Sequence, residues 1–174
     1  MSSETTDWRD TVRKIAWRMA RDDYPAGNLA TLRRLDPERP DGAAFWGLVA
    51  EYAPVALDND RMAKALAVVV QGMAIAHPFH LPAGGRRPLG MALADAGVSE
   101  ARLLRLLRTG QSELPEEVRR LARLMAAKGE AGRFDWSEVF DLVFWTDGEK
   151  IRREITKDYY RTLYKISKDK GEAA

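Results

Sequence analysis

Apolar residues recur along almost the whole chain at the three-to-four-residue spacing of amphipathic α-helices, and the alternation typical of β-strands is nearly absent. Ala, Leu, Arg and Glu, which favour helices, dominate the sequence. Stretches rich in proline and glycine separate the helical segments, and one of them, 77–88, reads as an irregular and mobile loop. The sequence therefore predicts an all-α fold of about nine helices.

The ends of the predicted helices are marked by proline, glycine and capping residues. The predicted spans are about 8–22, 28–35, 41–53, 58–76, 89–94, 99–107, 115–127, 135–145 and 147–167. Asp41, Asp58 and Ser99 are predicted N-caps, and Asp135 with Glu138 has the form of a capping box. The polar stretch 109–115 predicts a boundary between two small helical bundles packed together, an N-terminal one over 1–110 and a C-terminal one over 111–174.

The composition excludes several classes of protein. The chain has 174 residues, of which 45% are hydrophobic, and its five tryptophans are expected in the core or between the bundles. The absence of cysteine excludes disulfides, thiol nucleophiles and thiolate metal sites. No apolar run is long enough to span a bilayer, and the first residues lack the pattern of a signal peptide. We therefore expect a cytoplasmic protein that does not associate with a membrane.

The charges are sorted along the chain although the net charge is only +2. Residues 35–60 contain six acidic residues and one arginine, whereas residues 86–133 contain ten basic residues. This distribution predicts separate acidic and basic surfaces.

Two predicted helices carry rows of arginines opposite their apolar faces. The rows are Arg102, Arg105 and Arg108 on the sixth helix, and Arg119, Arg120 and Arg123 on the seventh. The planar, permanently charged guanidinium group suits phosphate oxygens, so rows one helical turn apart would follow a polyphosphate backbone. The alternative is that both rows are simply the solvated faces of amphipathic helices.

Three further arginines are candidates for the same role. Arg33 and Arg34 end the short second helix, where the alternative is stacking on an aromatic ring or pairing with Asp36. Arg61 lies in the first turn of the fourth helix, where the helix dipole disfavours a cation. That conflict indicates either a binding role or an ion pair with Asp58 or Asp60.

The sequence offers little for catalysis. His77 and His80, the only histidines, are interpreted as loop residues rather than metal ligands. Asp135, Glu138 and Asp141 lie along one predicted helix and leave a carboxylate hydrolase as a remote alternative, although capping explains the first two. Nucleotide-binding, zinc-protease and serine-hydrolase motifs are absent. No catalytic residue, metal or cofactor is predicted.

The order of several short motifs resembles a known family, the small subunit (CasB type) of the type I-E CRISPR surveillance complex Cascade. The motifs lie at 27–35 (GNLATLRRL), 44–48 (AFWGL), 89–94 (LGMALA), 99–108 (SEARLLRLLR), 118–121 (VRRL), 135–136 (DW) and 157–161 (KDYYR).

The resemblance implies a non-catalytic, all-helical subunit with three kinds of partner: guide RNA and target DNA, the other Cascade subunits, and a second copy of itself. It implies that the subunit holds the guide RNA–target DNA hybrid and the displaced DNA strand, stabilising the R-loop in antiviral defence. The arginines that the resemblance implies as nucleic-acid contacts are Arg34, Arg61, Arg102, Arg108 and Arg120. The arginine rows add Arg33, Arg105 and Arg119 as neighbours. A helical protein–protein adaptor without nucleic-acid contact is the alternative function.

Overall fold

The computed structural model describes residues 7–81 and 86–173, and these ranges hold nine α-helices and no β-strand. The helices are α1 (Trp8–Ala20), α2 (Ala26–Arg33), α3 (Ala43–Tyr52), α4 (Asp60–Ala76), α5 (Leu89–Asp95), α6 (Glu100–Arg108), α7 (Leu114–Ala127), α8 (Ser137–Phe144) and α9 (Glu149–Glu172). Short 3₁₀ helices cover Pro54–Asp58 and Gly129–Gly132. The predicted all-α fold is confirmed.

Helix α4 lies at the centre of the molecule. All its residues from Ala65 to Ala74 are buried, and it packs against α1, α2, α3, α7 and α8. Gly72 lets the indole ring of Trp136 approach the helix closely, since a Cβ atom at that position would collide with the ring. The long apolar run of α4, interrupted only by Gln71 between Ala65 and Ala76, therefore reflects burial on all sides.

Contacts at both ends of α4 and α7 show the relative directions of these two helices. Pro115 at the start of α7 lines one cavity with Arg61 at the start of α4, and Gly129 after α7 approaches Phe79 after α4. Helices α4 and α7 consequently run in the same direction. Arg105 near the end of α6 pairs with a residue in the first turn of α7, so α6 and α7 form an antiparallel hairpin.

Helix α9 packs on α5 through its first half. Gly90 permits this contact, because a Cβ atom there would collide with the carbonyl oxygen of Ile155. Ile151, Ile155 and Tyr159 are buried, whereas almost every residue of α9 beyond Thr162 is exposed. The second half of α9 thus lies mostly outside the core.

Some helix ends differ from the predictions. Ser99 caps α6 as predicted, but Asn59 rather than Asp58 caps α4, its side chain accepting from the Met62 N–H at 3.1 Å. Helix α3 begins after Gly42, whose φ of 90° favours glycine, and not at Asp41. Helix α9 also extends beyond the predicted end near residue 167.

The predicted capping box at α8 is wrong in one half. Asp135 accepts from the Ser137 N–H at 3.0 Å, but the Glu138 carboxylate accepts from the distant backbone N–H of Leu89. Tryptophan placement also departs from expectation, because Trp17 and Trp145 are more than half exposed while Trp136 is buried. The long-range hydrogen bond from the Leu89 N–H at the start of α5 therefore replaces the local cap that Glu138 was predicted to make.

Buried side chains from both halves of the chain form one continuous core that extends from Val12 to Tyr159. The division into bundles over 1–110 and 111–174 stays a prediction, because a shared core does not show whether either part folds by itself. The predicted mobility of the 77–88 loop concerns in part residues 82–85, which lie outside the described residues. Among the helices that the structure describes, none combines the length and apolarity needed to cross a bilayer.

Candidate nucleic-acid interface

The α6–α7 hairpin presents its arginines outward because its leucines point inward. Leu103 and Leu106 of α6 are buried, as are Val118 and Leu121 of α7. With the apolar stripe fixed against the core, the residues on the opposite side of each helix face solvent. Five of the eight candidate arginines are exposed or half-exposed on this surface, which we call the hairpin patch: Arg102, Arg105, Arg108, Arg119 and Arg120. Arg123, the remaining member of the predicted α7 row, is exposed as well.

Glu117 lies at the centre of the hairpin patch. Its side chain is only 10% exposed, and its two oxygens accept from Arg105 Nε at 3.0 Å and from an Arg120 guanidinium nitrogen at 3.3 Å. The two arginine side chains remain 58% and 56% exposed. Because a nearly buried carboxylate requires hydrogen-bond partners, Glu117 fixes one edge of each guanidinium group and leaves the rest in solvent.

The outer ion pairs of the hairpin patch are weaker. Glu116 accepts from Arg119 at 3.1 Å and lies 3.8 Å from Arg120 Nε, and its side chain is 47% exposed. Exposed pairs of this kind contribute roughly 0–1 kcal/mol, so a phosphate can replace the carboxylate at little cost. Arg102 and Arg108 are exposed and make no ion pair within the described part of the chain. Residues 100–127 hold six arginines and four glutamates, which leaves this surface positive.

Arg61 lies near the start of α7. Its guanidinium group donates to the Phe144 carbonyl oxygen and lies 4.6 Å from the centroid of the Phe144 ring. The charge therefore lies at the C-terminal end of α8, where the helix dipole favours a cation, which resolves the conflict seen in the sequence. Arg61 shares a cavity with Lys64, Gln111 and Pro115, the last two of which flank the start of α7.

Arg33 and Arg34 lie towards the other end of α4. Arg33 Nε donates to the Ala74 carbonyl oxygen at 2.9 Å, so it caps the last turn of α4 and neither pairs with Asp36 nor stacks on an aromatic ring. Ala74 is 13 residues beyond Arg61 on α4, which corresponds to about 20 Å. Arg34 is exposed and makes no ion pair with any residue that the structure describes.

The structure therefore places five of the eight predicted arginines on the α6–α7 hairpin, places Arg61 near the start of α7, and leaves Arg33 and Arg34 towards the other end of α4. Sequence reasoning missed two residues that position these groups. Glu117 has the three-residue spacing to Arg120 that signals a helical ion pair. Gln71 is a single amide within the buried apolar run of α4, and it donates to the carbonyl oxygens of Arg33 and Leu35, fixing the end of α2.

Each of the three carboxylates considered for hydrolysis, Asp135, Glu138 and Asp141, accepts a hydrogen bond from a different partner. Asp135 accepts from Arg13 at 2.8 Å and Asp141 from Arg9 at 2.8 Å. Burial raises the pKa of Glu138 to about 7. Across residues 7–81 and 86–173, no three histidine or acidic side chains gather into a group that could hold a metal ion.

His80 lies in the connection between α4 and α5, as predicted, but its side chain is part of the core. It is fully buried, and its Nε2 lies 2.9 Å from the Ala16 carbonyl oxygen. Burial lowers the pKa of His80 to about 4, so the ring is neutral at ordinary pH.

Comparison with known proteins places this geometry in a family. A chain in the crystal structure of E. coli Cascade bound to a PAM-containing dsDNA target matches with a TM-score of 0.66 and 25% identity, over 90% of this chain and 96% of that one. The crystal structure of M. ruber CasB matches with a TM-score of 0.69 and 21% identity, over 90% and 97%.

Two sequence comparisons gave different results. No curated protein sequence matches the chain. The sequence profile of the CRISPR-associated protein Cse2 family, in contrast, matches residues 28–160, which contain all eight predicted arginines. The chain therefore belongs to the CRISPR-associated protein Cse2 family.

Proposed function

We propose that this chain is the non-catalytic small subunit of a type I-E Cascade complex. In that role it binds the sugar-phosphate backbone of the guide RNA–target DNA hybrid and of the displaced strand, and so stabilises the R-loop in antiviral defence. Family membership and the likeness to a chain of DNA-bound Cascade support the assignment. The observation that carries the binding role is the hairpin patch, in which a nearly buried carboxylate, Glu117, holds the exposed side chains of Arg105 and Arg120 on the outer surface of α6 and α7.

A subunit of this kind requires phosphate contacts rather than contacts with base edges. Pairing between guide and target supplies the sequence information, so the protein has only to favour the strand-exchanged state. Guanidinium groups on packed helices lower the free energy of that state without a large ordering cost, and each contact releases counterions.

The eight arginines are expected to contribute differently. Arg34, Arg102 and Arg108 have no competing carboxylate among the described residues and are expected to bind phosphate most directly. Arg105 and Arg120 are positioned by Glu117 and are expected to bind phosphate through their remaining N–H groups. Arg119 is expected to leave its exposed partner Glu116 when it binds phosphate. Arg33 and Arg61 already donate to helix-end carbonyl oxygens and are expected to act mainly through charge.

The proposed function includes protein partners. Other Cascade subunits and a second copy of this chain would lie beside it in the complex. The acidic segment 35–60 and the basic segment 86–133 give the chain complementary surfaces for such contacts.

The proposal is tested by charge reversal in the assembled complex. The triple variant Arg34→Glu/Arg102→Glu/Arg108→Glu should fold normally and retain target DNA poorly at low salt. The matched control is Lys14→Glu/Arg39→Glu/Lys150→Glu, which changes the same charge at exposed positions on other segments. Equal DNA retention by the two variants would refute the binding role. Crosslinks from the hairpin patch to protein and never to nucleic acid would instead support the adaptor function.

A further inference from the structure

Helix α9 has an exposed face whose composition differs from that of the hairpin patch. At about 100° per residue, the buried Ile151, Ile155 and Tyr159 lie on one side of the helix. The opposite side spans about 140° of arc. It carries Lys157, Tyr160, Arg161, Tyr164, Lys165 and Lys168, which are all exposed and which we call the α9 stripe.

The α9 stripe combines cations with accessible aromatic rings. Four of its six residues are bases, and the only ion pair they make within the described residues joins Arg161 to Asp158 at 2.8 Å. Two acids, Glu154 and Glu172, lie on the same arc, so bases outnumber acids on this face. Tyr164 is 70% exposed, the largest exposure of any bulky apolar or aromatic side chain in the described chain. Cations beside open aromatic rings match a polyanion whose bases are free to stack. A double helix hides the faces of its bases, so the match is to a single strand.

The α9 stripe is fixed next to the start of α6. The Tyr160 hydroxyl donates to the Glu100 carboxylate in the first turn of α6, and the Tyr159 hydroxyl donates to the Val98 carbonyl oxygen at 2.7 Å. Arg102 follows Glu100 by two residues on the same helix. A strand that follows the arginine row of α6 towards its N-terminal end therefore reaches the α9 stripe.

We propose that the α9 stripe binds single-stranded nucleic acid by stacking a base on Tyr164, while Lys157, Lys165 and Lys168 contact the adjoining phosphates. This inference rests on the proposed function, because it requires that the chain bind nucleic acid. It adds a contact between a base face and a tyrosine ring to the phosphate contacts proposed for the hairpin patch. Stacking of this kind is indifferent to sequence, since every base has an aromatic face.

The test compares two single strands that differ only in their bases. Fluorescence anisotropy measures binding of the full chain to an end-labelled thymidine strand of about 15 nucleotides, the scale of one single-strand site, and to an abasic strand of equal length. The variant is Tyr164→Leu, which keeps apolar bulk and removes the ring. The control is Trp17→Leu, which removes a ring of similar exposure from α1.

The wild-type chain should bind the thymidine strand about tenfold more tightly than the abasic strand, as expected for one stacked base. Tyr164→Leu should abolish that difference without changing the salt dependence, because no charge is lost. Trp17→Leu should bind like the wild type. Equal binding of both strands by the wild type would overturn stacking but leave phosphate binding intact, and would identify the α9 stripe as a plain cationic face suited to an acidic protein. Failure to bind either strand would overturn the proposed function as well.

Discussion

The arginine–carboxylate pairs of two regions of this molecule have different roles. At the α1–α8 interface, Asp135 accepts from both Nε and a terminal nitrogen of Arg13, whose side chain is only 24% exposed. In the hairpin patch, Glu117 is about as buried as Asp135, but its partners Arg105 and Arg120 are more than half exposed. The burial of the carboxylate is similar, so the exposure of the guanidinium group decides whether an arginine can also bind an external phosphate.

The largest expected effect lies at the α1–α8 interface. Arg13→Met removes the partner of a nearly buried carboxylate and should lower the free energy of unfolding by about 3–5 kcal/mol. Urea denaturation of Arg102→Met provides the comparison, and it should differ from the wild type by about 0.5 kcal/mol or less because Arg102 is exposed. Similar losses in the two variants would contradict the distinction between the regions.

Glu138 sharpens the comparison because it is a buried carboxylate that accepts from a backbone N–H rather than from a guanidinium group. Its pKa is raised from 4.5 to about 7, so the folded state binds more protons than the unfolded state between these values. The contribution of Glu138 to the free energy of unfolding should therefore fall as the pH rises through this window, by on the order of 2–3 kcal/mol.

The matched variant for this prediction is Glu138→Gln, whose amide oxygen can accept the same hydrogen bond without titrating. Denaturation midpoints at several pH values should show that the stability of the wild type relative to Glu138→Gln falls as the pH rises from 4.5 to about 7. His80 gives the opposite trend in both proteins, because its lowered pKa reduces stability as the pH falls from 6.5 towards about 4. Parallel profiles for the wild type and Glu138→Gln would contradict the assignment.

A smaller effect is expected at the centre of the hairpin patch. Glu117→Gln keeps one hydrogen bond to an arginine but removes a negative charge, and should cost about 1 kcal/mol of stability. The same change should tighten binding of a polyanion at low salt by a few-fold, because one repulsive charge is lost. Paired denaturation and DNA-binding titrations measure both quantities. Weaker DNA binding would show that the carboxylate acts mainly by holding its arginines in place.

Local features of the fold were predictable from the sequence, and long-range contacts were not. The helical periodicity, the Ser99 cap and the outward rows of α6 and α7 depend on residues a few positions apart. The pairing of Arg13 with Asp135 joins residues 122 positions apart, and no spacing rule connects them.

The same limit explains the errors at individual residues. Glu138 left its predicted cap because the Leu89 N–H, 49 residues away, competes for the carboxylate. The dipole of its own helix disfavours a cation at Arg61. The end of α8 compensates, because it provides the Phe144 carbonyl oxygen and aromatic ring as partners. For the same reason, the sequence identified the arginines but not which of them lie together.

The most direct measurement is the salt dependence of nucleic-acid binding by Arg102→Gln/Arg108→Gln beside the wild-type chain. Both arginines are exposed and lack a carboxylate partner in the described chain, so the free energy of unfolding should change by about 0.5 kcal/mol or less. The slope of log affinity against log salt should fall by about 1.4–1.8, corresponding to two lost phosphate contacts. An unchanged slope with unchanged low-salt affinity would show that the hairpin patch does not contact the nucleic-acid backbone.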